Sequence, residues 1–138
     1  MTPEQIRLVQ NNFKSLIPVA QQASQLFYHK LFTLEPSIQD LFTNDPQKQQ
    51  QKFMQMLHNI VDQLHLIDFV VPIMHELGVR HLAYQVQSHH HQLFKQTLVE
   101  TISELQGNHF TPELAQSWTL AYDTIAFYME QGAQKHKE

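Results

Sequence analysis

Three polar side chains, Tyr28, Gln49 and His81, stand on otherwise apolar stripes of three different helical segments. His81 is the most informative. In Val70-Val71-Pro72-Ile73-Met74-His75-Glu76-Leu77-Gly78-Val79-Arg80-His81, helical spacing puts Ile73, Leu77 and His81 at i, i+4 and i+8. An imidazole aimed into a core must bond to something, because an unpartnered polar group there is costly. It reads either as a core histidine satisfied by a neighbour's carbonyl or as a metal ligand. Tyr28 reads either as a core tyrosine bonded to a backbone carbonyl or as a donor in a pocket. Gln49 reads either as a solvated member of the run Gln47–Gln51 or as a second donor. Taken together, the three define a pocket for a large apolar ligand with one coordination position. His81 would supply the nitrogen, and the phenol and amide would hydrogen-bond whatever binds the other face.

The elements that must position these groups are helices. Thr2-Pro3-Glu4-Gln5 offers a capping threonine, proline at the first helical position and Gln three residues after the cap. The helix it opens sends Ile6, Val9, Phe13 and Ile17 toward a core, and Pro18 interrupts it. A second helix carries Leu26, Phe27, Leu31 and Leu34 on its apolar side, until Glu35-Pro36 breaks it. A short helix through Ile38, Leu41 and Phe42 comes next. Asn44-Asp45-Pro46 caps a long helix with Gln49, Phe53, Met56, Leu57, Ile60 and Leu64 inside. Asp68 caps the His81 helix, and Ser88 opens another through Leu93, Phe94, Leu98, Ile102 and Leu105 that ends at Gly107-Asn108. Thr111-Pro112-Glu113 starts the last, with Leu114, Trp118, Ala121, Tyr122, Ile125 and Met129 at helical spacing, and residues 131–138 read as a frayed tail. The expectation is one all-α domain over 1–138, of about seven unequal helices crossing steeply around a buried group rather than a symmetrical four-helix bundle.

Composition agrees with that class and excludes others. Only 3 of 138 residues are Gly, too few for a fold of tight β-turns, and no cysteine is present for a disulfide, a thiolate metal site or a thiol nucleophile. The formal charge of −4 contains no block of like charge, so nucleic acid and anionic membrane are not expected partners. The start lacks the basic and apolar regions of a signal peptide, and no uncharged apolar run reaches the roughly 18 residues of a membrane-spanning helix. A cytoplasmic location is the resulting expectation.

Over nearly its whole length the chain resembles the globin family, most closely the bacterial single-domain globins related to the haem domain of flavohaemoglobins. The resemblance rests on Phe27-Tyr28-His29-Lys30-Leu31-Phe32, Glu35-Pro36, Leu41-Phe42, Gln49, Leu77-Gly78-Val79-Arg80-His81, Val86 and Trp118-Thr119-Leu120-Ala121-Tyr122. It implies a globin fold around haem b, with His81 as the proximal iron ligand and its other N–H given to the Leu77 carbonyl one turn earlier. It further implies that Phe42 stacks on the haem, and that Tyr28 and Gln49 are the distal pair. The Tyr28 hydroxyl would stabilise polarised dioxygen by about 1–3 kcal/mol, slowing its release roughly tenfold or more, whereas carbon monoxide would gain less. Phe53, Val86, Phe94 and Tyr122 carry over as haem contacts, with Lys52 and Arg80 as cations in reach of the propionates.

The chain departs from that pattern behind His81. Where flavohaemoglobin haem domains place a tyrosine and a glutamate, the register falls at His91 and near Ala133, with Glu130 one turn earlier. The relay is therefore absent or rebuilt with imidazole, His91 turning toward the haem edge. The run His89-His90-His91 reads as a surface cluster, since adjacent helical residues point about 100° apart and cannot converge on one metal. The chain ends where the last globin helix would, so turnover would require an external reductase. The leading expectation is reversible, tight dioxygen binding for capture, transport or storage, by a monomer or homodimer that also takes nitric oxide and carbon monoxide. Nitric oxide dioxygenation and gas or redox sensing are the alternatives.

Overall fold

Helix α1, Pro3–Leu16, opens on a reciprocal cap. The Gln5 N–H donates to the Thr2 hydroxyl at 3.1 Å, and the Thr2 N–H donates to the Gln5 side-chain oxygen at 2.8 Å. In the computed structural model, which describes residues 1–41, 45–83 and 88–137, the remaining helices are α2 (Ala20–Leu34), α3 (Pro46–Asp62), α4 (Ile67–Ala83), α5 (Ser88–Gln106) and α6 (Pro112–Lys137). Short 3₁₀ turns occupy Ile17–Val19, Pro36–Leu41 and Gly107–His109, and the described residues contain no strand. The architecture is all-α. The expected short helix through Ile38 is the Pro36–Leu41 turn, so the described residues form six α-helices where about seven were expected.

Several boundaries differ from the sequence expectation, each for a local reason. Pro18 tightens the chain after Leu16, so Leu16 takes the inward position and Ile17 is left 45% exposed. Leu34, the last residue of α2, is also exposed, because the chain turns off at Glu35. Asp68 lies within the first turn of α4, where its charge suits the helix dipole, instead of capping it. Helix α6 continues to Lys137 rather than fraying after Glu130, and Gly132 is still buried against α4.

Two apolar clusters hold the helices. The larger gathers Val9, Phe13 and Leu16 of α1, Phe27 and Leu31 of α2, Leu98 and Ile102 of α5, and Trp118 and Ala121 of α6. The smaller joins Ile60 of α3 with Val70 and Met74 of α4 and Ile125 and Met129 of α6. A hydrogen-bond chain locks the first cluster: Trp118 Nε1 donates to Asn12 Oδ1 at 2.9 Å, Asn12 Nδ2 to Gln106 Oε1 at 2.8 Å, and Gln106 Nε2 to the Ser15 hydroxyl at 2.9 Å. Buried Thr97 and Thr101 donate back to the carbonyls one turn earlier, Leu93 and Thr97, each at 2.7 Å. Among the described residues, no buried side-chain nitrogen or oxygen lacks a partner.

Candidate functional site

Tyr28 is buried in the middle of α2, and the helical repeat places Phe32 one turn later. Gln49 and Phe53 are likewise one turn apart on α3, whose start is fixed by Asp45 accepting from the Gln47 N–H at 2.9 Å. Packing of α2 on α3 brings the two pairs together. Burial pushes the Tyr28 phenol up to about 12, and a hydrogen bond with the Gln49 side chain works against that rise. The hydrogen bond ties the phenol of α2 to the amide of α3. The ring is boxed by aromatics: Phe27 meets it edge-on at 5.3 Å, Phe53 edge-on at 5.8 Å and Phe32 obliquely at 5.7 Å, centroid to centroid.

His81 sits near the end of α4, partly buried, with Nδ1 2.7 Å from the Leu77 carbonyl oxygen. A carbonyl can only accept, so Nδ1 carries the proton and a neutral ring has its lone pair on Nε2. Burial lowers the His81 pKa and so favours the neutral ring, with the Leu77 bond opposing in part. The position of α4 is set against α6. A Cβ added at Gly78 would run into the Met129 backbone carbonyl, and one at Gly132 would run into the backbone of His75. The two helices therefore lie antiparallel and nearly backbone to backbone, three residues before the imidazole.

On α5, His91 faces α6, its Nδ1 3.5 Å from the Tyr122 hydroxyl and its ring edge-on to Phe94. Burial lowers the His91 pKa; the Glu130 carboxylate opposes this, while His81 and His90 add to it. His91 thus lies within electrostatic reach of both His81 and Glu130. Burial also drives the Tyr122 phenol well above its ordinary range, helped by Asp123 and Glu130. The histidine run is not wholly a surface cluster: His89 is exposed, but His90 is 8% exposed, its ring 4.1 Å from that of His89 and close to Phe94. Lys52 is exposed, and Arg80 pairs at 2.9 Å with Glu76 one turn earlier, both side chains open to solvent. Phe42 and Val86 lie outside the described residues. Among the described residues, no three His, Cys, Asp or Glu side chains gather as a metal site, and no helix is long and apolar enough to cross a membrane. Sequence reasoning did not single out Phe27 or Phe32 as parts of the site. Their spacing around Tyr28, adjacent and one turn on, was the available signal.

A family model described as Globin matches residues 25–129, a segment that contains Tyr28, Gln49, His81, His91 and Tyr122. The Flavohemoprotein of Vibrio cholerae serotype O1 is 26% identical over 133 residues, covering 91% of this chain and 33% of that protein. The chain thus spans about a third of the length of the flavohemoproteins it matches. Leghemoglobin-1 of Lupinus luteus is 24% identical over 144 residues, covering 94% of each chain. A solved structure of an engineered carbene transferase, built on a suggested nitric oxide dioxygenase of Rhodothermus marinus, superposes with a TM-score of 0.89. It covers 99% of this chain and 96% of the other at 22% identity, which speaks to the fold alone. With most of its length matched by the family model on a helical frame of this shape, the chain belongs to the globin family.

Proposed function

We propose that the protein is a haem globin, one domain over residues 1–138, that binds dioxygen reversibly and with high affinity. The observation that carries this reading is the 2.7 Å contact between His81 Nδ1 and the Leu77 carbonyl, which leaves Nε2 as the basic nitrogen of a ring whose neutral form burial favours. That donor suits an axial iron ligand, whose second nitrogen is ordinarily tied to a carbonyl or carboxylate. Haem b, when bound, would supply an iron able to take a diatomic gas. Leu77, Phe53, Phe94, His91 and Tyr122 are the described residues assigned to its walls, joined by Phe42 and Val86. Lys52 and Arg80 are the cations assigned to its propionates.

Tyr28 then does the discriminating work. Its phenol stays protonated across the physiological range and is bonded to Gln49, and on this reading its hydroxyl donates to a polarised ligand. Dioxygen, nitric oxide and carbon monoxide would all enter, with dioxygen gaining most from that proton. The test is Tyr28→Phe in the haem-loaded protein. The dioxygen dissociation rate should rise about tenfold or more while carbon monoxide dissociation changes little. An unchanged dioxygen rate would mean that the hydroxyl serves another partner.

One observation favours a second reading, nitric oxide dioxygenation with an external reductase. The Glu130 carboxylate acts on His91, and His91 lies within electrostatic reach of His81, which is the order in which a carboxylate–imidazole relay toward the ligand would run. Repeated turnover of nitric oxide to nitrate with a supplied reductase would establish it; one stoichiometric conversion would not.

A further inference from the structure

Phe53 contacts two aromatic rings of α2 in two different ways. Against Phe27 it lies face to face, with centroids 4.6 Å apart and planes 12° from parallel. Toward Tyr28 it presents an edge, at 5.8 Å and 74°. Phe27 also meets Tyr28 edge-on, at 86°. The first contact anchors Phe53, and the second uses the anchored ring as a brace. Offset-stacked and edge-to-face geometries are the favourable ones for such pairs. A tyrosine has two side-chain torsions, and walls on two of its edges leave neither free to swing the hydroxyl away.

We propose that Phe53 is the positioning residue for Tyr28, and that the site's preference for a polarised diatomic ligand over carbon monoxide depends on Phe53 acting through the phenol rather than through its own bulk. The proposal rests on Tyr28 being the ligand's hydrogen-bond donor. It adds that the donor's aim is set from a different helix. A leucine or methionine at 53 fills similar space but has no flat face for Phe27 and no edge for Tyr28, so the phenol would sample more than one direction.

The test is a double-mutant cycle in the haem-loaded full-length chain, using Phe53→Leu, Phe53→Met, Tyr28→Phe and the combined Tyr28→Phe/Phe53→Leu variant. Two quantities are read: the C–O stretching band of the carbonyl form and the dioxygen dissociation rate. Expected is a narrow band in the parent that broadens or splits in both Phe53 variants, with the dissociation rate rising about two- to tenfold. In the Tyr28→Phe background, Phe53→Leu should alter neither quantity by as much as twofold. Equal effects in both backgrounds would overturn the proposal, because Phe53 would then act by bulk alone. An unchanged band and rate in both Phe53 variants would overturn it as well. Should Phe53→Leu fail to fold, the methionine variant takes its place in the cycle. If Tyr28→Phe alone leaves the dioxygen rate unaltered, the reading of Tyr28 as donor has failed, and that outcome is separate from the other two.

Discussion

Around Tyr28 the helices meet through side chains, whereas behind His81 they meet backbone to backbone. The first region is a stack of rings from α2 and α3 with one amide bonded to the phenol. The second is a seam in which Gly78 and Gly132 let α4 and α6 touch main chain to main chain. A wall made of side chains can be retuned by changing one ring, since each aromatic contact is worth only about 0.5–1.5 kcal/mol beyond its burial. A backbone seam cannot be adjusted gradually, because the glycine hydrogens leave no room to add an atom. The arrangement holds the His81 helix fixed while the side chains around Tyr28 are open to variation.

Two substitutions probe the seam side, and both should have larger effects than any change around Tyr28. His81→Gly should lower haem affinity by at least about 100-fold, since losing even the groups that support a metal ligand costs 10–100-fold. Free imidazole should restore the Soret band, and the helical circular dichroism should hold. Haem retained at parental strength would mean that the seam carries something other than the anchoring ligand. Gly78→Ala comes next. Alanine gains roughly 0.5–1 kcal/mol over glycine in a helix, but its Cβ would overlap the Met129 carbonyl, and overpacking costs about 1–3 kcal/mol or more. The second term wins, so Tm should fall by several degrees, in contrast to a small change for Phe53→Leu. A Tm at or above the parent's would show that α4 and α6 can part.

How much of this was legible in the sequence depended on the kind of interaction. The bond between His81 and the Leu77 carbonyl was implied by the family resemblance and spans one helical turn, and the Thr2–Gln5 cap follows from a four-residue pattern, so neither needed a distant partner to be named. Leu16 and Ile17 show where such reading stops. Both are apolar, and only the phase shift at Pro18 decides which of them faces the core. The Phe53–Phe27 stack and the Asn12–Trp118–Gln106 chain join residues far apart in sequence, and no spacing rule reports which ring will lie on which. His90 read as surface because it sits among histidines, yet tertiary packing buried it beside Phe94. Gly78 was visible within the motif, but its partner Gly132 acquires meaning only once α6 is known to run on past Glu130.

The smallest expected effect separates the two regions by pH. Burial lowers the pKa of His81, His90 and His91 from the ordinary 6.5, and raises that of Tyr28 from 10.0 to about 12. As pH falls through 6.5, the unfolded chain's imidazoles take up protons that the folded chain's resist. Stability therefore declines on the acid side, from about 6.5 down to the lowered folded values. The phenol works in the other direction. The folded chain keeps the Tyr28 proton to higher pH than the unfolded chain, so stability is lost as pH rises from about 10 toward 12, with Tyr122 acting in the same sense. Between those limits these groups contribute no slope. Thermal melts of the haem-free chain from pH 5 to 11 should show a plateau with two shoulders. His91→Gln should flatten the acid shoulder by about two to four degrees of Tm and leave the alkaline one, whereas Tyr28→Phe should do the reverse. A single variant that moved both shoulders would join the two regions electrostatically, and the contrast between a side-chain wall and a backbone seam would then not extend to their charges.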